Sequence, residues 1–261
     1  MGLFDAFKKK QCDICGGDIG LLGNRKLEDG NMCKKCAAKL SPFFSDRRSS
    51  TVAQIEEQLA YREANQDAVA AFRVTQTLGR DTKVLIDEDA GKFMVTSARN
   101  LAEANPDVIG FDQVTGVDLN IDEDRSEEMR EVKDKDGSTR EVSYNPPRFI
   151  WSYDFHVTIH VNHPYFDEIE IRLNDSDVEL NPDNPLPQMR KPNPGMNPDY
   201  REYDEMGKEI KRILTEARAQ VRAEAKAAAA PKQAITCPWC GATTTPDAGG
   251  CCEYCGGAVN G

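Results

Sequence analysis

Nine cysteines crowd into the two ends of the sequence, at 12, 15, 33 and 36 and again at 237, 240, 251, 252 and 255, and none lies between 37 and 236. No other feature restricts the fold as much. The first set is a Cys-x2-Cys pair, a gap spanning residues 16–32, and a second Cys-x2-Cys pair. That spacing fits a four-thiolate zinc site. Each pair can aim two sulfurs at one point, and two pairs complete a tetrahedron with Zn–S near ~2.3 Å. Gly16 frees the backbone after Cys15. Gly23-Asn24 and Asp29-Gly30 supply tight turns for a hairpin between the pairs, and "CKKCAAKL" reads as a helix start carrying the last two ligands. The second set, Cys237, Cys240, Cys252 and Cys255, repeats the plan with a shorter gap, and Gly241 and Gly256 follow its pairs. Cys251 is surplus; replacing Cys252 with it would stretch the final pair. Four thiolates leave no open coordination position, so both sites are expected to be structural, with two zinc ions in all. A segment of ~30 residues buries too little surface to fold alone. Structural zinc contributes ~10–16 kcal/mol of apparent binding free energy, enough to decide the matter.

Composition narrows the class. A net charge of −11 and a pI of about 4.9 argue against nucleic acid as the default partner, because phosphate binding needs a basic face. With 39% hydrophobic and 30% charged residues the chain reads as a soluble protein with a modest core. No apolar run approaches the ~18–20 residues that span a bilayer. "MGLFDAFKKK" places its apolar residues before its lysines, the reverse of a secretory signal. A reducing cytoplasm is the expected compartment, and there cysteine pairs favour metal over disulfide.

The chain divides into a short amphipathic start (1–10), a first cysteine module (11–48), a middle region (50–180), a proline-rich spacer (181–198), a long helix (199–229) and a second cysteine module (236–261). The middle region opens on a helix, with Thr51 as N-cap and Gln54 as its capping-box partner. Val52, Ile55 and Leu59 start an apolar stripe that Val69 and Phe72 resume. "KVLID" and "KFMVT" flank "EDAG" as a hairpin, "VTGVDLNI" is a further strand, and "REVKDKDGSTREV" is a charged hairpin around Asp136-Gly137. From 149 to 161, Phe149, Trp151, Tyr153, Phe155, Val157, Ile159 and Val161 take every odd position, giving one buried and one wet face. Ile169, Ile171 and Leu173 continue that alternation in an antiparallel partner. The fold class is therefore α+β, an antiparallel sheet domain with a long C-terminal helix, flanked by two small zinc-ribbon or treble-clef-like modules.

The remaining signals are less specific. His156 and His160 stand about 13 Å apart on an extended strand at ~3.3 Å per residue, too far to share an ion; with His163 they are read as a solvated sheet face and turn. "NIDEDRSEEMRE" (120–131) spaces its carboxylates like a calcium loop, but Arg125 stands where glycine is required, so a solvated acidic loop is expected. Tyr203, Met206, Ile210, Ile213, Leu214, Ala217 and Val221 form a helical stripe that could pack on the chain's own sheet or on a second copy. Gly207 costs that helix ~1 kcal/mol. Leu3, Phe4 and Phe7 share one helix face ahead of Lys8, Lys9 and Lys10, a candidate contact with a membrane surface or with the protein itself.

"CDICGGDIGLLGNRKLEDGNMCKKCAAKLSPFF" followed by "STVAQIEEQLAYRE" resembles an uncharacterised bacterial family of unknown function with an N-terminal zinc-ribbon domain. The similarity covers residues 1–60 and extends through "VTIHVNHPYFDEIEI". It implies Cys12, Cys15, Cys33 and Cys36 as ligands and brings no established activity. Several short strands closed by a long helix are also similar to bacterial pleckstrin-homology-like or GRAM-like lipid-binding domains, a likeness of architecture alone. The expectation is a non-enzymatic zinc protein that binds partner proteins, with the inner membrane face as a candidate location. Its rivals are a nucleic-acid adaptor and a thiol redox protein, the latter without the βαβ context such enzymes use.

Overall fold

A computed structural model describes residues 10–180, 191–229, 234–247 and 249–259. The chain falls into two compact units, Met1–Arg218 and Ala219–Gly261. Among the described residues no helix is long and apolar enough to cross a membrane. Leu3, Phe4 and Phe7, and most of the proline-rich spacer, lie outside the described residues.

The larger unit begins with two short hairpins. β1 (Lys10–Gln11) pairs with β2 (Asp18–Ile19), and β3 (Asn24–Lys26) pairs with β4 (Asn31–Cys33). Helix α1 (Lys34–Ala37) follows directly. Helix α2 (Val52–Ala71) then starts with both halves of the Thr51–Gln54 capping box in place. Strands β5 (Gln76–Gly79), β6 (Lys83–Asp87) and β7 (Lys92–Thr96) form a meander. After α3 (Leu101–Ala104), β8 (Ile109–Gly110) completes a four-stranded antiparallel sheet in the order β5-β6-β7-β8. The hairpin at "EDAG" turns with Gly91 at φ +64°.

A second antiparallel sheet is built on β10 (Thr139–Val161), which pairs with β9 (Val114–Lys133), β11 (Glu168–Arg172) and β12 (Val178–Leu180). The period-two reading of this strand holds from 153 to 161: Tyr153, Phe155, Val157, Ile159 and Val161 are buried, and Ile159 and Val157 oppose Ile169 and Ile171, while Phe149 and Trp151 are only half-buried. The middle region is thus α+β and antiparallel, but in two sheets where one was expected.

Residues 120–131 are not a loop. They form the middle of β9, paired with β10, and an extended strand spreads Asn120, Asp122, Asp124 and Glu131 apart instead of wrapping them around an ion. The charged strand is stabilised from across the ribbon. Arg125 lies over Phe149 (4.0 Å) and within reach of Trp151 (5.5 Å), Arg130 lies over Tyr144 (5.6 Å), and Arg148 pairs with Glu128 at 3.9 Å.

Helix α4 (Pro198–Ala229) lays its stripe on the second sheet. Tyr200 meets Tyr153 and Phe155 edge-on, with ring centroids 5.0 Å apart in each case, and Tyr203, Ile210 and Leu214 are buried. Gly207 is the point of closest approach: a Cβ there would lie 2.5 Å from Leu119 Cδ1 and 3.2 Å from Leu173 Cδ1. Arg80, between β5 and β6, donates to the Tyr203 hydroxyl at 3.2 Å and ion-pairs with Glu202, joining the first sheet to the helix.

In the smaller unit, β13 (Ile235–Thr236) pairs with β14 (Thr243–Thr244), and an isolated bridge joins Cys251 to Ala258.

Candidate metal centres

The first centre is assembled by two tight structures. Cys12 and Cys15 sit on a knuckle whose backbone closes through Gly16 N–H to Cys12 O (2.7 Å) and Cys12 N–H to Gly17 O (2.9 Å). The turn requires φ of +70° at Gly16, which glycine adopts without steric cost. Cys33 ends β4 and is the N-cap of α1, so Cys36 is presented one turn later. The Cys36 N–H donates to Cys33 Sγ (3.4 Å) and the Cys33 N–H to Cys12 Sγ (3.2 Å). All four sulfurs lie within 4.8 Å of one another, and Cys15 and Cys33 are 3.9 Å apart.

The second centre repeats this chemistry. Cys237, Cys240, Cys252 and Cys255 gather within the same limit, with Cys237 to Cys255 at 3.6 Å and Cys240 to Cys252 at 3.8 Å. Gly241 (φ +72°) and Gly256 (φ +69°) turn the two knuckles. Cys251 stays outside the group; its sulfur lies 3.8 Å from Gly249 O.

These separations test the fit to a metal. Four sulfurs at ~2.3 Å from a tetrahedral ion stand about 3.8 Å from each other, and the observed pairs run from 3.6 to 3.9 Å. Those are three of the pairs, and the others in each group lie within 4.8 Å. A disulfide requires ~2.05 Å, and all nine cysteines are free thiols. The electrostatics agree. Burial pushes the Cys12 thiol up, but N–H groups of Cys33, Cys15 and Ile14 aimed at its sulfur outweigh burial and bring it down to about 7. Burial and then the neighbouring thiols push Cys36 the other way. In the second centre burial also opposes ionisation of Cys252, yet the N–H groups of Tyr254 and Cys255 lower it to about 6. Cys255 gains an N–H from Gly257 but is raised to about 12 by Cys240, Cys237 and Cys252. Each group therefore ionises readily once and resists further negative charge, a conflict that a shared divalent cation removes. The two sets are compatible with two metal ions.

The first module does not end with its cysteines. Cys12, Ile19, Leu27, Met32, Cys36, Leu40 and Ile55 form one buried cluster, and Ile55 belongs to α2. The Val52 N–H donates to Asp29 Oδ1 (2.8 Å), so the hairpin tip helps to cap that helix. One turn beyond Leu59, Arg62 donates to Lys39 O (3.2 Å), pairs with Asp107 at 2.7 Å and bonds Asn105 O. Asp107 also accepts from Ser41 Oγ (2.8 Å). The ion pair is buried, with 6% and 0% of the two side chains exposed. This hub fastens the residues after Cys36 to α2 and to the 105–108 loop. Sequence reading missed it, because Arg62, Ser41 and Asp107 are remote from one another in the chain.

The histidines divide. His156 and His160 lie on the polar sheet face as expected, each between two carboxylates: His156 faces Glu170 (3.2 Å) and Asp122 (4.0 Å), and His160 faces Asp118 (3.1 Å) and Glu168 (3.2 Å). His163 departs from the solvated turn that was expected. Its ring stacks on Phe166 (centroids 4.0 Å apart) and its Nε2 contacts the Tyr61 hydroxyl at 3.0 Å.

Fold and sites together define the class: an α+β protein with antiparallel sheets, a long C-terminal helix and a four-cysteine module near each end. Residues 10–58 match a family described as a domain of unknown function, DUF4428. The match runs past the cysteines into α2 and takes in Ile55, the helix residue that completes the module's core. No curated protein and no solved structure matches the chain. The pleckstrin-homology-like likeness of the middle region rests on the sequence alone.

Proposed function

We propose that this is a non-enzymatic zinc protein in which two closed tetrathiolate modules hold contact surfaces in shape, that of the second module for partner proteins. The metal is assigned as zinc because four thiolates in a tetrahedral cage are its characteristic structural site. One observation carries the role. Each chemically closed module holds two large apolar side chains out in solvent: Leu21 (92% exposed) and Leu22 (81%) in the first, Trp239 (75%) and Tyr254 (72%) in the second. Trp239 is fixed in that position by donating its indole N–H to Ala258 O at 3.0 Å. An aromatic side chain held rigid at a surface suits a protein interface, where Trp and Tyr are enriched and concentrate binding energy. A nucleic-acid role finds less support in the second module, since no Lys or Arg follows Lys232.

Metal analysis of the purified chain should give two zinc ions, and cobalt substitution should give tetrathiolate charge-transfer bands at both sites. Cross-linking in the native host should then capture proteins that are lost when Trp239→Ala and Tyr254→Ala are combined. A metal-free chain that cycles between thiol and disulfide would overturn the reading in favour of redox chemistry.

A further inference from the structure

Leu21 and Leu22 ride a turn closed by Gly23 N–H to Gly20 O (2.8 Å), with both side chains exposed. Immediately after it in the chain, Arg25 and Lys26 line one open groove together with Arg47, Arg48, Asn24, Leu27 and Glu28. The groove is built, not incidental. Arg47 donates to Lys26 O (2.6 Å), and Arg25 donates to Asn24 O (3.2 Å) and Leu22 O (3.5 Å), which ties the cationic wall to the leucine turn. Among the described residues none of these four cations is ion-paired. The Arg47 guanidinium is held below its ordinary range by burial and then by the like charges of Arg48 and Arg25. On a chain whose net charge is −11, an unneutralised cationic groove beside two exposed leucines is a local reversal of the surface.

We propose that this tip docks on an anionic lipid bilayer, with Leu21 and Leu22 entering the boundary between head groups and acyl chains and Lys26, Arg25 and Arg48 meeting the phosphates. The pairing of chemistries selects this occupant. An anionic bilayer is the surface that offers apolar depth under a layer of negative charge. Single-stranded nucleic acid would be gripped by aromatic stacking, and the tip offers aliphatic side chains only. The inference rests on the zinc reading above, because the metal-held hairpin is what keeps the turn projecting. The contact is weak and reversible. Removing both leucines is expected to weaken it about 30-fold, from two half-buried side chains, and removing one cation about fivefold.

The test is co-flotation of the full, zinc-loaded chain with phosphatidylcholine vesicles, with and without phosphatidylserine. Retention is expected on the anionic vesicles only and is expected to fall with added salt. Leu21→Ser/Leu22→Ser should lose about 30-fold in retention, and Lys26→Glu/Arg48→Glu at least as much, each with two zinc ions still bound. Leu3→Ser/Phe4→Ser/Phe7→Ser in the full chain separates the terminal segment from the tip. Equal retention of wild type and Leu21→Ser/Leu22→Ser, or loss only in the terminal-segment variant, overturns the proposal. So does a complete lack of retention on anionic vesicles by a chain carrying two zinc ions, which leaves the zinc reading intact. A chain that binds no zinc overturns the zinc reading and this proposal with it.

Discussion

Ile55 stands on α2, outside the cysteine segment, yet it is fully buried against Cys12, Leu27, Met32 and Cys36. Ile55→Ala removes three carbons from that cluster. At about 0.8 kcal/mol per methylene the transfer loss is roughly 2.4 kcal/mol, and the cavity raises the total to about 3 kcal/mol. In a module whose folding is linked to metal capture, that loss is read in the metal affinity. At about 1.4 kcal/mol per factor of ten, the first site weakens about 150-fold. The second centre has its own small cluster of Cys237, Cys252 and Val259, without Ile55, and serves as an internal control. Chelator competition on the full chain loaded with two zinc ions should therefore become biphasic, with one ion leaving early and one at the wild-type rate. Val69→Ala, at the far end of the same helix, should lower stability without splitting the two phases. Unchanged release from Ile55→Ala would show that α2 is a bystander and would refute the shared core.

Three further outcomes follow from the structure. Asp107→Asn leaves the Arg62 charge buried without its partner and should cost about 3–5 kcal/mol in urea denaturation, while Arg62→Met/Asp107→Asn should recover part of that loss; additive single effects would show no coupling. Burial holds the His163 imidazole below its ordinary value. Below the unfolded value of about 6.5 the unfolded chain takes up a proton that the folded chain resists, so stability present above that pH should be lost as pH falls toward the folded value; Tm measured from pH 7 to 5 should fall less steeply in His163→Gln. Cys252→Ser should lose one zinc ion and Cys251→Ser none, as read by metal analysis, because only Cys252 joins the sulfur group.

The parts of this molecule that were legible in the sequence are those whose chemistry is local. The eight paired cysteines announce their sites because each pair is a complete half of the ligand set, and Thr51 with Gln54 specifies a helix start within four residues. The odd-numbered residues from 153 to 161 declare a buried face by alternation alone. What failed depended on distant partners. Residues 120–131 are acidic enough to read as a loop, and their pairing with β10, including Arg125 over Phe149, is not encoded in the segment itself. Along α2, Gln58, Arg62 and Asn65 look like a wet helix face and are all buried. The groups that satisfy Arg62 and Asn65 come from Asn105, Pro106 and Asp107, some forty positions away.

Gly207 shows how a local rule can be right about cost and silent about purpose. By propensity it weakens α4 by about 1 kcal/mol relative to alanine. At that position, however, the helix comes so close to the sheet that an added Cβ would meet Leu119 Cδ1 at 2.5 Å and Leu173 Cδ1 at 3.2 Å. Overpacking of this kind costs about 1–3 kcal/mol, as much as the propensity gain or more. The small residue also lets Tyr203 and Ile210, a turn to either side, bury against the sheet. The interruption in the stripe is thus the contact point itself. The helix face that could have served as a seam with a second copy is, from Tyr203 to Leu214, occupied by the chain's own sheet.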